Sequence, residues 1–443
     1  MIAGSIALGF LAASVPATAQ RGGIPLIRDA EIEQLLRDYA TPVLRAAKLA
    51  KQNVRIVIIN DRSFNAFVMD GRHIFINAGA LMDSKTPNEI IGVLAHETGH
   101  LAGGHLQRLR EKLAAAQTQS IIAMIAGVGA AVASRGGTGM AGILGPQEVI
   151  RRSLLSYVRT QEDQADHAAV KFLDATGQSP KGMYDTFKRM SNETLYAAQG
   201  VDAYAQTHPM PADRVAALET IAKASPYWGK KDTPEMQLRH DLMRAKLFGF
   251  LDRGDAIARI YPLGDHSLAA RYARAISTYR RADIRTALQE IDGLIQAQPN
   301  NPYFHELKGQ ALLESGRAAD AVAPLRRAVQ LAPSPALIQI MLAQALIATN
   351  NTKYADEAVH LLRSALIQEP EASSAYAQLA MAYGRKGDVA HADLASAEAA
   401  FYRGDYGAAT MLATRAKTKL PVGSPAWVRA DDIVSAKAKT KTN

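Results

Sequence analysis

The chain has 443 residues, enough for two or three domains rather than one core. Hydrophobic residues make up 48% and charged residues 21%, as in an ordinary globular protein. There is no cysteine, which excludes disulfides, thiol nucleophiles and cysteine-ligated zinc, so any metal must be bound by histidine and carboxylate. The net charge of +9 divides as 27 basic against 22 acidic residues in 231–443 and 24 against 20 before them. No segment is basic enough to indicate a nucleic-acid partner.

The first 19 residues, MIAGSIALGFLAASVPATA, form an uncharged apolar segment that ends in Ala17-Thr18-Ala19. This small-x-small ending is typical of a signal-peptidase site, so we interpret residues 1–19 as a signal peptide for export. The first basic residue is Arg21, so the usual positive charge before the apolar run is missing. A membrane anchor is the alternative, but the run is short for spanning a bilayer.

A helix and a small sheet are predicted next. The segment DAEIEQLLRDYATPVLRAA has helical periodicity, whereas VRIVIIN and NAFVMDGRHIFINAGAL read as strands with a hairpin turn at Asp70-Gly71. An exposed edge strand can bind an extended peptide as an additional strand. The candidate edge strands are residues 65–68 and 73–77, and a purely structural hairpin is the alternative.

The segment TPNEIIGVLAHETGH, residues 86–100, predicts a buried helix with a metal site. Thr86 is a favourable N-cap, Pro87 suits the first turn, and Glu89 completes a capping box. The helical spacing places the two histidines of HETGH on one face, one turn apart. Two surface histidines are the alternative, but a polar triplet inside an apolar helix is costly to bury without a ligand.

Catalytic zinc usually takes three protein ligands and keeps a fourth position for water, which an adjacent glutamate can deprotonate. His96 and His100 supply two ligands, and Glu97 is the candidate base. A metzincin-type third histidine would fall at residue 106, which is leucine. His105 is one position away and, on a continuous helix, points away from His100, so we expect a structural or surface histidine there.

A later helix, SYVRTQEDQADHAAVKFLDATG, supplies a carboxylate candidate for the third ligand and ends at Gly177. Glu162 and Asp166 are four residues apart on one face, so Glu162 could bind the metal while Asp166 orients a ligand histidine. A solvated face is the alternative for Glu162, since other glutamates exist at Glu111, Glu193 and Glu219.

Residues 120–146, SIIAMIAGVGAAVASRGGTGMAGILGP, are apolar and rich in glycine, but their continuous apolar part is too short for a transmembrane helix. A mobile lid or membrane-touching loop and a buried helix with a flexible end are both compatible with this composition.

From about residue 230 the chain is rich in alanine and shows a helical repeat, with Pro299, Pro333 and Pro370 spaced by 34 and 37 residues. Small residues recur at matching positions of successive units: Gly309, Ala321, Ala328, Ala343, Ala358, Ala365, Ala380, Ala392 and Ala399. The pattern resembles tetratricopeptide repeats, which present a concave surface to partners. An inert helical cap is the alternative.

HETGH and EDQAD, with NAFVMDGRHIFINAGAL before them and THPMPADR after them, resemble the gluzincin peptidases that include the CAAX prenyl proteases and the membrane protease HtpX. Exported members with C-terminal tetratricopeptide repeats, the beta-barrel assembly-enhancing proteases of the BepA type, are the most similar over nearly the whole chain after residue 19. The resemblance implies one zinc ion per chain with these metal ligands: His96, His100 and Glu162. It implies these catalytic or nearby residues: Glu97 as base, Asp166 as proton donor or orienting partner, and His208 and Arg214 near the metal.

The resemblance also implies a compartment and partners. It indicates a protein of the Gram-negative periplasm, exported by residues 1–19, that acts on unfolded or stalled outer-membrane proteins. The repeats would bind the outer-membrane assembly machinery in their groove, and residues 120–146 would contact the membrane surface if they are not a lid.

The predicted fold class is α+β and mostly helical. A zinc metallopeptidase domain of helices around a small sheet, residues 25–228, precedes an all-α repeat solenoid, residues 229–443. We expect an envelope endopeptidase that degrades misassembled or stalled outer-membrane proteins and assists their assembly. A repeat scaffold or chaperone with latent proteolysis and a non-proteolytic metalloprotein are the alternatives.

Overall fold

The computed structural model describes residues 25–114, 139–196, 204 and 208–440, with only the backbone for 139–155, 194–196 and 437–440. Within these ranges the chain is mostly helical and contains one four-stranded sheet, which confirms the predicted α+β class. The predicted signal peptide and residues 120–138 lie outside the described residues. Residues 139–146, the end of the apolar segment, begin a long helix. No described helix is both long enough and apolar enough to cross a membrane.

Two compact units make up the chain, Pro25–Asp252 and Arg253–Asn443. The boundary between them lies later than the predicted one at residues 228/229. Helix Pro234–Leu251, expected among the repeats, packs in the first unit, where the Tyr39 hydroxyl is 3.3 Å from His240 Nδ1. Buried Lys246 on this helix also forms an ion pair with Asp29 at 2.8 Å.

The first unit contains the sheet and seven labelled helices. Its strands are β1 (Leu26–Ile27), β2 (Arg55–Ile59), β3 (Ala66–Val68) and β4 (His73–Asn77). Its helices are α1 (Ala30–Ala46), α2 (Ala78–Asp83), α3 (Pro87–Gly103), α4 (Gly139–Ala175), α5 (Lys181–Tyr196), α6 (Ala212–Lys223) and α7 (Pro234–Leu251). Residues 105–114 are also helical. Aliphatic and aromatic side chains from these helices and one face of the sheet form a single core around α3.

The sheet has the order β1-β2-β4-β3, with β2 parallel to β4 and the other pairs antiparallel. The β3–β4 hairpin turns at Asp70, whose Oδ1 accepts hydrogen bonds from the backbone of Arg72 and His73. Strand β3 is an edge strand, as predicted for 65–68. The prediction for 73–77 is wrong, because β4 is paired on both sides and has no edge left for a peptide.

Helix α3 begins at Pro87, the position expected for it, with Thr86 as N-cap. The predicted reciprocal capping box does not form, because the Thr86 side chain bonds no backbone N–H. Glu89 instead accepts hydrogen bonds from the Lys85 backbone and from Arg189 on α5, so one of its oxygens ties α3 to its neighbour.

The second unit consists of antiparallel helices in sequence. They are α8 (Gly254–Ile260), α9 (Leu268–Arg280), α10 (Ile284–Ala297), α11 (Pro302–Glu314), α12 (Ala318–Leu331), α13 (Ala336–Ala348), α14 (Ala355–Gln368), α15 (Ser373–Arg385), α16 (Val389–Tyr402), α17 (Tyr406–Lys417) and α18 (Pro425–Thr440). The predicted small positions lie between paired helices. An added Cβ at Gly309 on α11 would lie 2.3 Å from Leu325 on α12. The small residues therefore let the helices approach closely, as the repeat pattern predicts.

Candidate active site

Helix α3 carries three polar side chains, His96, Glu97 and His100, within an aliphatic core. All three are buried. The Nε2 atoms of the two histidines are 3.0 Å apart, as their spacing of one helical turn requires. Burying a polar group without a partner costs roughly 2–7 kcal/mol, so this arrangement needs compensating ligands.

Helix α4 brings a carboxylate to these histidines. The two helices can approach because α3 has no side chain at Gly99, where an added Cβ would lie 2.8 Å from the Ala165 carbonyl oxygen. Glu162 Oε2 lies 3.4 Å from His96 Nε2, and its Oε1 lies 3.4 Å from His100 Nε2. The structure thus brings the predicted third ligand to the predicted first two.

His208 adds a fourth candidate ligand. Its Nδ1 lies 3.1 Å from Glu162 Oε2 and 3.4 Å from His96 Nε2. One donor atom from each of His96, His100, Glu162 and His208 lies within 4.8 Å of the others. Ligands of a tetrahedral zinc ion with bonds of 2.0–2.1 Å are about 3.4 Å apart. These separations, and a donor set of imidazole and carboxylate, fit one zinc ion.

Two further charged residues hold the ligands in place. Asp166 Oδ1 lies 2.9 Å from His96 Nδ1, the ring nitrogen on the side away from the other ligands. Arg214 donates to both oxygens of Asp166, at 2.8 and 2.9 Å, and lies 2.8 Å from Glu162. Arg214 therefore neutralises part of the negative charge and connects the two carboxylates of α4.

Glu97 lies beside the four candidate ligands. Its Oε1 accepts a hydrogen bond from the Tyr204 hydroxyl at 3.4 Å and lies 3.6 Å from His208 Nε2. The Tyr204 ring stacks on His208, with ring centroids 4.5 Å apart. Sequence reasoning missed Tyr204. The available signal was its position four residues before His208, a spacing that places two side chains on the same side of a helical turn. The His208 N–H does donate to the Tyr204 carbonyl, as in such a turn.

His105 departs from its prediction. Helix α3 ends at Gly103, and Gly104 has a positive φ of 61°, so the chain changes direction before His105. The ring turns back, is buried, and places its Nδ1 2.9 Å from His100 Nδ1. The expectation that His105 points away from His100 is therefore wrong, because it assumed a continuous helix.

The surroundings set the protonation of the cluster. Burial alone would lower the pKa of His96, but hydrogen bonds to Asp166 and Glu162 raise it to about 9. Burial and the neighbouring His96 lower the pKa of His100. Burial would raise the pKa of Glu162, but His208 and His96 hold it well below its usual value. Burial raises the pKa of Glu97. The carboxylates that favour a proton on His96, together with a neutral His100, suit a bound cation that replaces this proton.

Residues 27–222 match the profile of peptidase family M48. The match spans the helices and strands that carry the metal-ligand cluster. Residues 279–403 match the N-terminal repeat region of Psidin, which confirms the tetratricopeptide-like character of the second unit. The match to peptidase family M48 and the buried metal-ligand cluster identify the chain as a metalloendopeptidase.

Three relatives illustrate the similarity. The beta-barrel assembly-enhancing protease of Escherichia coli (strain K12) is 23% identical over 418 residues, 93% of this chain and 84% of the relative. The protein of the same name from Yersinia pestis is 22% identical over 375 residues, 82% of this chain and 75% of the relative. Mitochondrial metalloendopeptidase OMA1 of Schizosaccharomyces pombe is 28% identical over 197 residues, 42% of this chain and 55% of the relative.

Proposed function

We propose that this chain is a zinc-dependent endopeptidase of the Gram-negative cell envelope that degrades misassembled or stalled outer-membrane proteins. The observation that carries the proposal is the buried His-His-Glu-His cluster with Glu97 beside it, inside an M48 domain. The names of the Escherichia coli and Yersinia pestis relatives support the substrate class, because both are called beta-barrel assembly-enhancing proteases.

The zinc would be held by His96, His100 and Glu162. When bound in such a site, zinc polarises a scissile carbonyl and lowers the pKa of water. Glu97 takes the proton of the attacking water and gives it to the leaving amine. Its burial supports this role, because a raised pKa makes the Glu97 carboxylate a stronger base toward the proton of the attacking water. The Tyr204 hydroxyl restrains the carboxylate through their hydrogen bond.

Asp166 orients His96 in this account. Its oxygen lies 2.9 Å from Nδ1, and this carboxylate favours a proton on Nδ1, the tautomer that leaves the Nε2 lone pair available to a metal. Burial would raise the pKa of Asp166, but Arg214 lowers it below its usual value. A carboxylate that stays ionised and lies behind His96 is better suited to orienting this ring than to donating a proton to substrate.

His208 has two candidate roles. Its Nδ1 lies among the ligand atoms, so it can occupy the position that water or substrate needs and keep the peptidase latent. Its Nε2 lies near Glu97, so it could instead donate a hydrogen bond to the oxyanion once substrate is bound. The four-residue cluster favours the first role in the structure as it stands.

Strand β3 offers a place for the substrate backbone. It is an edge strand that contacts α3, the helix of the metal ligands. A peptide added there would be read mainly through its backbone, which suits substrates that are recognised because they are unfolded.

A second role in partner binding is supported by the repeat unit. Helices α14, α15, α16 and α18 surround a cavity of about 620 Å³ lined by aromatic, aliphatic and arginine side chains. Ile367 at this cavity is 83% exposed, so its aliphatic side chain is available to a bound partner. We propose that this cavity binds the assembly machinery or a substrate, so that a scaffold or chaperone role accompanies proteolysis.

The substrate class is tested by trapping. Glu97→Gln retains the metal ligands and removes the base, so it is expected to hold substrates that the wild-type protein cleaves. The variant is purified from the envelope, and its bound proteins are identified by mass spectrometry against wild type and a Glu97→Gln/His96→Ala double variant. Enrichment of outer-membrane β-barrel proteins on the single variant alone supports the proposal. If no outer-membrane β-barrel protein is enriched on Glu97→Gln, the proposed substrate class is contradicted.

A further inference from the structure

His105 occupies a built position next to the metal-ligand cluster. The left-handed Gly104 directs the chain back toward α3, and the His105 ring meets His100 edge to face with centroids 5.0 Å apart. The backbone at His105 is held as well, because its carbonyl accepts a hydrogen bond from the buried Gln161 side chain at 3.2 Å. Gln161 precedes Glu162 on α4, so the turn that carries His105 is joined to the helix that carries the carboxylate ligand.

The two nitrogens of His100 face different partners. Nε2 lies among the candidate ligand atoms, 3.0 Å from His96 Nε2 and 3.4 Å from Glu162 Oε1. Nδ1 lies 2.9 Å from His105 Nδ1. For Nε2 to offer a lone pair to a metal, a neutral His100 must carry its proton on Nδ1. That N–H donates to His105 Nδ1, which is an acceptor when the proton of His105 is on its own Nε2.

We infer that His105 is a positioning residue for the zinc site, which fixes the tautomer and ring orientation of His100 by accepting the hydrogen bond from its Nδ1. At His96 the corresponding neighbour is Asp166, whose Oδ1 lies 2.9 Å from Nδ1, so each ligand histidine of α3 has an acceptor atom close to its second nitrogen. The acceptor on His96 is an ionised carboxylate, and the acceptor on His100 is a second imidazole. The inference rests on the zinc site described above.

The space around His105 provides an independent way to disturb it. An added Cβ at Gly103 would lie 2.2 Å from His105 Nε2, so a methyl group there must displace the ring. Gly103 is the last residue of α3, where alanine has a higher helix propensity than glycine. Gly103→Ala therefore perturbs the His105 ring without removing it and without weakening the helix.

The test is the zinc dissociation constant, measured by competition with a chromophoric chelator, in the full chain. His105→Leu removes the acceptor, and we expect zinc affinity to fall about 10–100-fold, as for other orienting partners of metal ligands. In His105→Asn the amide oxygen can take the place of Nδ1, so affinity should return to within about 3-fold of wild type. His105→Gln places its amide near Nε2 instead and should not restore binding. His167→Leu, on an exposed histidine of α4, is the matched control and should bind like wild type.

Wild-type affinity in folded His105→Leu would overturn the inference, as would equal affinities in the Asn and Gln variants. Thermal unfolding followed by circular dichroism separates loss of the site from loss of the fold. If His105→Leu does not fold, Gly103→Ala decides, since unchanged zinc affinity in that variant contradicts the inference. A wild-type protein that binds no zinc would overturn the proposed zinc site, and this inference with it. Equal affinity in wild type and His105→Leu would overturn the positioning role alone.

Discussion

At the scale of single residues, the site divides into positions set by local geometry and positions set by distant parts of the chain. His96, Glu97 and His100 could be predicted because helical spacing alone brings the two histidines together. Glu162 followed from the need for one more ligand on an amphipathic helix. Tyr204 and the His105 contact could not be predicted in the same way. Their placement depends on how α3 ends at Gly103 and on a segment more than a hundred residues later.

The position of His208 among the ligand atoms predicts latency. We expect His208→Ala to increase basal cleavage of an unfolded substrate such as casein, because the fourth ligand position is then left to water. Rates are compared at equal zinc occupancy, with His167→Ala as the control on an exposed histidine. A fall of about 100-fold or more would instead indicate that His208 stabilises the transition state.

At the scale of elements, the sequence predicted the segments of β2, β3 and β4, but neither strand β1 nor the order of the strands in the sheet. Alternating residues predicted both strands of the hairpin, yet only the pairing with β2 reveals that β4 is internal and β3 is the edge. Parallel pairing of β2 with β4 joins segments that local patterns cannot relate. The N-terminal limit of α3 was predictable from Thr86 and Pro87, because helix starts depend on neighbouring residues.

The outer edge of β3 can be tested at Val68. The Asn77 N–H donates to the Asn65 carbonyl, so these two residues form a hydrogen-bonded pair. Such pairs alternate with non-hydrogen-bonded pairs along an antiparallel ladder, and Val68 opposite Ile74 belongs to the second kind. The N–H and carbonyl of Val68 therefore point away from β4. Val68→Pro removes an outward N–H, so we expect a higher KM for an extended peptide at nearly unchanged zinc content and melting temperature. An unchanged KM in a folded variant would argue against substrate pairing on β3.

Helix α7 gives the first unit a pH-dependent stability. Burial lowers the pKa of His240 from 6.5 to about 4, so the unfolded chain binds this proton more readily than the folded protein. The contribution of neutral His240 to the free energy of unfolding is therefore fully present above about pH 6.5 and is lost as the pH falls toward 4. At pH 5 the loss is about 2 kcal/mol. We expect the free energy of unfolding, measured with urea, to decrease less between pH 7 and pH 5 in His240→Gln than in the wild type. Equal losses would contradict this assignment.

At the scale of the whole molecule, repeat periodicity indicated a helical region from about residue 230, whereas the second compact unit begins at Arg253. Helix α7 is rich in long side chains, much like a repeat helix, and its contacts with α1 and α2 place it in the first unit. A boundary between two helical segments changes the amino-acid composition very little. The repeats themselves are recognisable because prolines and small residues recur in them at regular spacing.

The cavity of the second unit predicts a separation of binding from cleavage. Ile367→Glu places a charge at the cavity wall. Added to Glu97→Gln, it should reduce the partner proteins that are recovered with the trapping variant. As a single substitution in the wild type, it should leave casein cleavage unchanged. Leu263→Glu is the matched control, since Leu263 is 82% exposed and is not among the residues lining the cavity. Equal loss of partners in both variants would contradict a role for this cavity.

The central claim is that the cluster on α3 and α4 is the centre of a zinc peptidase in which Glu97 acts on water and not on the metal. The most direct measurement is zinc content by mass spectrometry together with casein cleavage, in wild type and in Glu97→Gln. We expect about one zinc per chain in both proteins, with chelator-sensitive cleavage in the wild type and loss of cleavage in the variant. A wild-type protein without zinc, a variant that loses its zinc, or a variant that cleaves as fast as wild type would contradict it.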